Sequence, residues 1–124
     1  MAGQAPSDRR VTLLSRMNAK PGCEDALAAL ILGFYDEVRA AEPGCLVNIM
    51  HRGAAAPPPP SSAMFAFPAP SPRQFVFFEV YADPEAAQHH PTTPHFARMA
   101  ARLPDLIDGP VEIQFLDRVG GVGA

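Results

Sequence analysis

The sequence predicts one α+β domain, an antiparallel sheet of four strands with its helices on one face. Three observations lead there. An apolar stripe recurs at helical spacing between residues 23 and 41. Period-two alternation marks residues 73–81 and again residues 111–119. Turn and cap chemistry separates these segments in the order strand, helix, strand, strand, broken helix, strand. A chain of 124 residues, 48% of them apolar, fits one packed domain.

Residues 11–17, Val-Thr-Leu-Leu-Ser-Arg-Met, are rich in strand formers and give the first strand. Asn18 to Gly22 is turn chemistry. The helix that follows is expected from Cys23 to Ala41, with Leu27, Leu30, Ile31, Phe34 and Val38 on its buried stripe. Glu24 and Asp25 sit in its first turn, where the helix dipole favours acids. Glu42-Pro43-Gly44 stops it, because proline cannot continue a helix and glycine supplies turn freedom.

Residues 45–52 form the second strand. Strict alternation sends Cys45, Val47, Ile49 and His51 one way and Leu46, Asn48, Met50 and Arg52 the other. Residues 53–72 differ in kind: proline-rich, with Ala and Ser and no periodicity, they read as an exposed loop that folding can do without. Residues 73–81 are the clearest strand, with Phe75, Phe77, Glu79 and Tyr81 on one face. Asp83-Pro84 is a cap followed by a first helical residue, so a short helix runs to His90 before Pro91 interrupts it. Thr93-Pro94 repeats the signal, and Phe96, Met99 and Leu103 stripe the next helix up to Pro104. The last strand is placed at residues 111–119. Residues 1–10 and 120–124 are expected to be a disordered N-terminus and a flexible tail around a domain of residues 11–119.

This order is the split βαβ, or ferredoxin-like, arrangement. Helices on one side leave the other face of the sheet needing a cover, and a second copy of the chain is the simplest one, so a homodimer is expected. The net charge of −3 and the absence of a basic run argue against a nucleic-acid partner. The apolar stretch around residues 26–34 is too short for a bilayer span, and the polar start lacks a signal-peptide core. The expected compartment is the cytoplasm. Cys23 and Cys45 match no metal spacing and are read as ordinary thiols, Cys45 within a strand.

The residues also carry a resemblance. Ala19-Lys-Pro-Gly22, Glu42-Pro-Gly-Cys45, His51-Arg52, the segment FVFFEVYAD at 75–83, Thr93-Pro-His-Phe96, Leu103-Pro-Asp-Leu106 and Gly109-Pro110 together resemble the antibiotic biosynthesis monooxygenase (ABM) family. The likeness covers residues 11–119, interrupted by the proline-rich loop. It implies homodimers whose sheets join in an α+β barrel, each subunit keeping a pocket between sheet and helices. It also implies quinol-type monooxygenases that work without a cofactor, beside haem-degrading and isomerising branches. The haem-degrading branch uses an Asn on the first strand and a Trp on the third. Ser15 and Tyr81 stand at those positions here, so no haem is expected.

His90 falls where the family places a pocket histidine, and an imidazole suits proton transfer at neutral pH. The alternative is a helix-end histidine helped by the dipole. His89, roughly 100° around the same helix, is expected to face solvent. Glu79 is the lone acid on an apolar strand face and so must be paired or protonated. It is read as an inter-element or dimer contact, or as a base. Tyr81 shares its face and offers a phenol to a ligand oxygen. His90, Tyr81 and Glu79 are the catalytic candidates. His51, Asn48, Phe75, Phe77, His95 and Phe96 are the binding candidates, set against structural readings: a strand-end or interfacial role for His51 and Asn48, plain core for the phenylalanines, and a turn-fixing hydrogen bond for His95. No metal site is expected, since His89 and His90 diverge and no ligand-spaced set accompanies them. The expected function is cofactor-free monooxygenation of a small phenol or quinol with O2. Holding a small aromatic molecule without turnover, and a non-oxidative isomerase or cyclase, remain open at this level.

Overall fold

A computed structural model describes residues 8–54, 64–66 and 71–123. Its elements are β1 (Val11–Ala19), α1 (Glu24–Ala41), β2 (Cys45–Arg52), β3 (Gln74–Tyr81), α2 (Pro84–His89), α3 (Pro94–Arg102) and β4 (Ile107–Leu116). One-turn 3₁₀ segments at His90–Thr92 and Leu103–Asp105 flank α3. The strands form one sheet in the order β2-β3-β1-β4, with every neighbouring pair antiparallel. This is the ferredoxin-like α+β fold.

The register explains which side chains meet the helices. Leu13 pairs with Glu79, Ser15 with Phe77 and Met17 with Phe75, so these residues share one face of the sheet. Leu27, Ile31, Phe34 and Val38 of α1 are all buried against that face, with Met99 and Leu103 completing the core. The broken helix follows its caps. The Asp83 carboxylate accepts from the Ala86 amide at 2.7 Å, and the Thr93 hydroxyl accepts from the Phe96 amide at 3.2 Å. Pro91 shifts the chain into a 3₁₀ turn that carries His90 inward. The turn after α1 sits tightly on α2: a Cβ at Gly44 would lie 2.6 Å from the Cβ of Ala86, so only glycine lets the two segments touch.

Two expectations change. The last strand begins at Ile107, straight out of the 3₁₀ turn, and ends at Leu116 rather than running from 111 to 119. Gly109, with φ of 71°, and Pro110 lie inside it, which an edge strand tolerates because its outer amides need no ladder partner. In β2 a bulge falls between Cys45 and Val47. Cys45 pairs with Tyr81 and Asn48 with Glu79, so Cys45 joins Asn48 and Met50 on the helix side. Val47, Ile49 and His51 face outward, opposite Val80, Phe78 and Val76.

The proline-rich segment of residues 53–72 lies largely outside the described residues, as do residues 1–7 and Ala124. Its two ends are clamped together. The Arg52 Nε donates to the Pro72 carbonyl at 2.7 Å, the Gly53 amide to Gln74 at 2.9 Å, and the Gln74 amide to Ser71 at 3.1 Å. The approach is so close that a Cβ at Gly53 would meet the Ser71 carbonyl oxygen at 2.1 Å.

Candidate active site

A cavity of about 450 Å³ lies between the sheet and the helices. Its walls are apolar: Leu13, Met17 and Phe77 from the sheet, Ile31 and Phe34 from α1, Phe96, Met99 and Leu103 from the α3 region. Val111, Ile113 and Phe115 of edge strand β4 form its open side, and Phe115 there is 69% exposed. Ser15, Tyr35, Asn48, Glu79, Tyr81 and His90 are the polar groups on the lining.

These groups are mostly bonded in pairs. The Tyr35 hydroxyl donates to Asn48 Oδ1 at 2.7 Å, and the Tyr81 hydroxyl donates to Glu79 Oε1 at 2.6 Å. Burial pushes both phenols well above the usual tyrosine range, with the negative charge of Glu79 adding to it, so both keep their protons. The Tyr81 proton is thereby committed to Glu79 rather than offered to a ligand. Burial likewise pushes the Cys45 thiol up to about 11, aided by the nearby carboxylates of Glu42 and Glu79, which leaves it a protonated, poorly nucleophilic group.

His90 is 7% exposed and sits between two rings, with centroids 5.2 Å from Tyr81 and 5.2 Å from Phe96. Its Nδ1 lies 2.8 Å from Glu42 Oε1. The other oxygen of the same carboxylate lies 2.5 Å from Nε2 of His95. Phe34 packs on both imidazoles, at 5.6 Å and 5.7 Å. The end of α1 is thus tied to the 3₁₀ turn and to the first turn of α3 by one buried carboxylate.

Of the residues singled out in the sequence, His90, Tyr81, Glu79, Asn48, Phe77 and Phe96 line this cavity together. Three others stand elsewhere. His51 is exposed on the outer face of the sheet, with Nδ1 3.1 Å from the Val76 carbonyl oxygen, because the β2 bulge turns it away from the helices. Phe75 is fully packed core and lies off the cavity wall. His95 is buried behind Glu42 and borders a second, more open cleft with Glu37, Arg98 and Arg102. Sequence reasoning took Glu42 only as part of a helix stop and passed over Tyr35. One signal was there for Glu42: an acid at a helix C-terminus opposes the dipole and so calls for a compensating partner. Tyr35 stands four residues after Ile31, on the rim of the buried stripe.

Glu79 is held above its ordinary value of 4.5, chiefly by burial and against the pull of the Tyr81 hydrogen bond. The folded state therefore binds this proton more tightly than the unfolded chain. The resulting stability is present below 4.5 and is lost as pH rises through the folded value. Glu79→Gln keeps an oxygen for Tyr81 and removes the charge. Its melting temperature should exceed that of the wild type at pH 8, and the gap should close as the pH approaches 4.5. Thermal melts across that range test this, and a gap that widens on acidification would mean that the ionised carboxylate stabilises the fold.

A ferredoxin-like α+β domain with an apolar, histidine-bearing cavity between sheet and helices defines the class of protein. The family model for antibiotic biosynthesis monooxygenases matches residues 10–102, and the chain belongs to that family. Solved structures share the fold. Rv0793 of Mycobacterium tuberculosis is 24% identical with a TM-score of 0.69, over 92% of this chain and 99% of its own. PA3566 of Pseudomonas aeruginosa is 24% identical with a TM-score of 0.70, over 94% of this chain and 100% of its own. A candidate antibiotic biosynthesis monooxygenase from Caulobacter crescentus is 23% identical with a TM-score of 0.72, over 91% and 92% of the two chains. The curated relative sll1783, an uncharacterized protein of Synechocystis, is 27% identical over 108 residues, which are 87% of this chain and 63% of that protein. Among the described residues, no helix is long and apolar enough to cross a membrane.

Proposed function

We propose that the chain is a cofactor-independent monooxygenase that oxidises a small phenolic or quinol-type aromatic molecule with O2, and that it works as a homodimer. The observation that carries this reading is His90: a buried imidazole on the wall of an otherwise apolar cavity of about 450 Å³, within the range of small-molecule sites. The aromatic walls, Phe34, Phe77 and Phe96, suit a flat ring. His90 takes the phenolic proton. The phenolate gives one electron to O2, and the phenoxyl radical and superoxide combine at a ring carbon to form a peroxide. O–O cleavage with loss of the ring hydrogen then leaves a carbonyl and water, so one O2 converts the phenol to a quinone. The apolar walls admit O2 and the neutral phenoxyl radical, and the superoxide charge is met by the imidazolium that His90 becomes on taking the phenolic proton.

Oxygen uptake with a panel of small hydroquinones and naphthols tests the reading. One O2 consumed per quinone formed is the expected result. Saturable binding of the same compounds without oxygen consumption would replace it with a binding role.

The dimer rests on the outer face of the sheet. Ile49 is 52% exposed and Phe78 38% exposed there, among half-buried Leu14, Val47, Val76 and Val80, with no helix of the described residues above them. Light scattering at micromolar concentration should report twice the 13.3 kDa chain mass. A monomer at every concentration would refute the assembly.

A further inference from the structure

We propose that Glu42 is a positioning residue that sets opposite tautomers on His90 and His95, and so makes the Nε2 of His90 the base of the cavity. The catalytic part of this rests on the oxygenase reading above; the tautomers do not.

An ionised carboxylate has only acceptors to offer. Both oxygens of Glu42 are engaged by ring nitrogens, Oε1 by His90 Nδ1 at 2.8 Å and Oε2 by His95 Nε2 at 2.5 Å. The Glu42 side chain is 3% exposed, so water does not compete for it. With that carboxylate ionised, each ring places a proton on the nitrogen that faces Glu42. His90 is then the Nδ1–H tautomer and His95 the Nε2–H tautomer. A neutral His90 keeps its lone pair on Nε2, and no described residue bonds that nitrogen. Because His90 lines the cavity, this lone pair is the one available to a bound phenol.

The substrate O–H gives its proton to His90 Nε2, the ring becomes an imidazolium, and its charge lies against the Glu42 carboxylate. The proton returns from Nε2 when the peroxide breaks down. His95 never touches the substrate. It occupies Oε2, which keeps the carboxylate from turning away from His90. The placement also accounts for an acid at the C-terminal end of α1, where the helix dipole opposes it: two N–H donors compensate the charge.

The test reads the ring nitrogens directly, by 15N NMR of the full chain labelled at histidine. In the wild type, the unprotonated nitrogen should be Nε2 in His90 and Nδ1 in His95. In Glu42→Gln the side-chain amide offers one acceptor and one donor, so one of the two rings must exchange its tautomer. His95→Gln keeps an N–H for Oε2 and should leave the His90 pattern intact. Where the wild type turns over a quinol, Glu42→Gln should lower kcat more than it changes KM, and His95→Gln should preserve most of kcat. The same tautomer in both rings of the wild type, or an unchanged pattern in a folded Glu42→Gln variant, would overturn the proposal. If the Gln variant does not fold, the wild-type spectrum and His95→Gln still decide. Opposite tautomers in a protein that consumes no oxygen would uphold the assignment while removing the oxygenase reading.

Discussion

His90→Ala is expected to lower turnover of an accepted quinol by roughly 10²–10⁴-fold, the usual contribution of one positioned proton transfer, while leaving the protein folded. His90 is the imidazole on the cavity wall, and its loss removes the ring nitrogen that takes the phenolic proton, while Glu79 on the same lining already accepts from the Tyr81 hydroxyl. The other lining groups do not replace it. The phenols of Tyr35 and Tyr81 are held protonated by burial, and their hydrogens are already given to Asn48 and Glu79. His89→Ala is the matched control. That ring is exposed at the end of α2 and lies off the cavity, so activity should be nearly unchanged. Steady-state oxygen uptake on both variants, with circular dichroism to confirm folding, gives the comparison. Equal losses would place the proton acceptor outside this cavity wall.

Phe75→Ala carries the largest expected stability effect, about 3–5 kcal/mol, the range for emptying a buried phenylalanine site. Phe75 is 1% exposed, pairs with Met17 on β1, and carries the Arg52 guanidinium 5.7 Å from its ring centre. A small domain holds about 5–15 kcal/mol in total, so the variant should unfold at a much lower urea midpoint with a similar slope. Since Phe75 lies off the cavity wall, the KM of the fraction that remains folded should be close to the wild-type value. A large KM change with an unchanged midpoint would return Phe75 to the binding surface.

The fold was legible in the sequence because its signals are local. The α1 stripe from Leu27 to Val38, the alternation from Phe75 to Tyr81 and the Asp83 and Thr93 caps each follow from spacing alone. Errors arose where one residue changes the periodicity. The bulge after Cys45 reverses the facing of that residue relative to the rest of β2, so simple alternation grouped it with His51. Gly109-Pro110 reads as a turn in isolation, and only its place on an edge strand makes it part of β4. The candidate site was legible in part, because β3 and the histidine-bearing turn carry their own patterns. The partners of Glu42 were not, because they lie 48 and 53 residues away and no local motif links them to it.

The clamp at the base of the proline-rich segment makes this protein a convenient one to build on. With Arg52 and Gly53 already bonded across to Pro72 and Gln74, the length between the two ends is expected to have little leverage on the rest of the domain. Each doubling of such a connection costs only about 0.6 kcal/mol of closure entropy. The segment leaves from the far ends of β2 and β3, whereas His90 follows α2 at the opposite end of β3. An affinity handle, a fluorophore or a whole guest domain spliced in here is therefore expected to give an immobilised or reporting version with the His90 cavity unchanged.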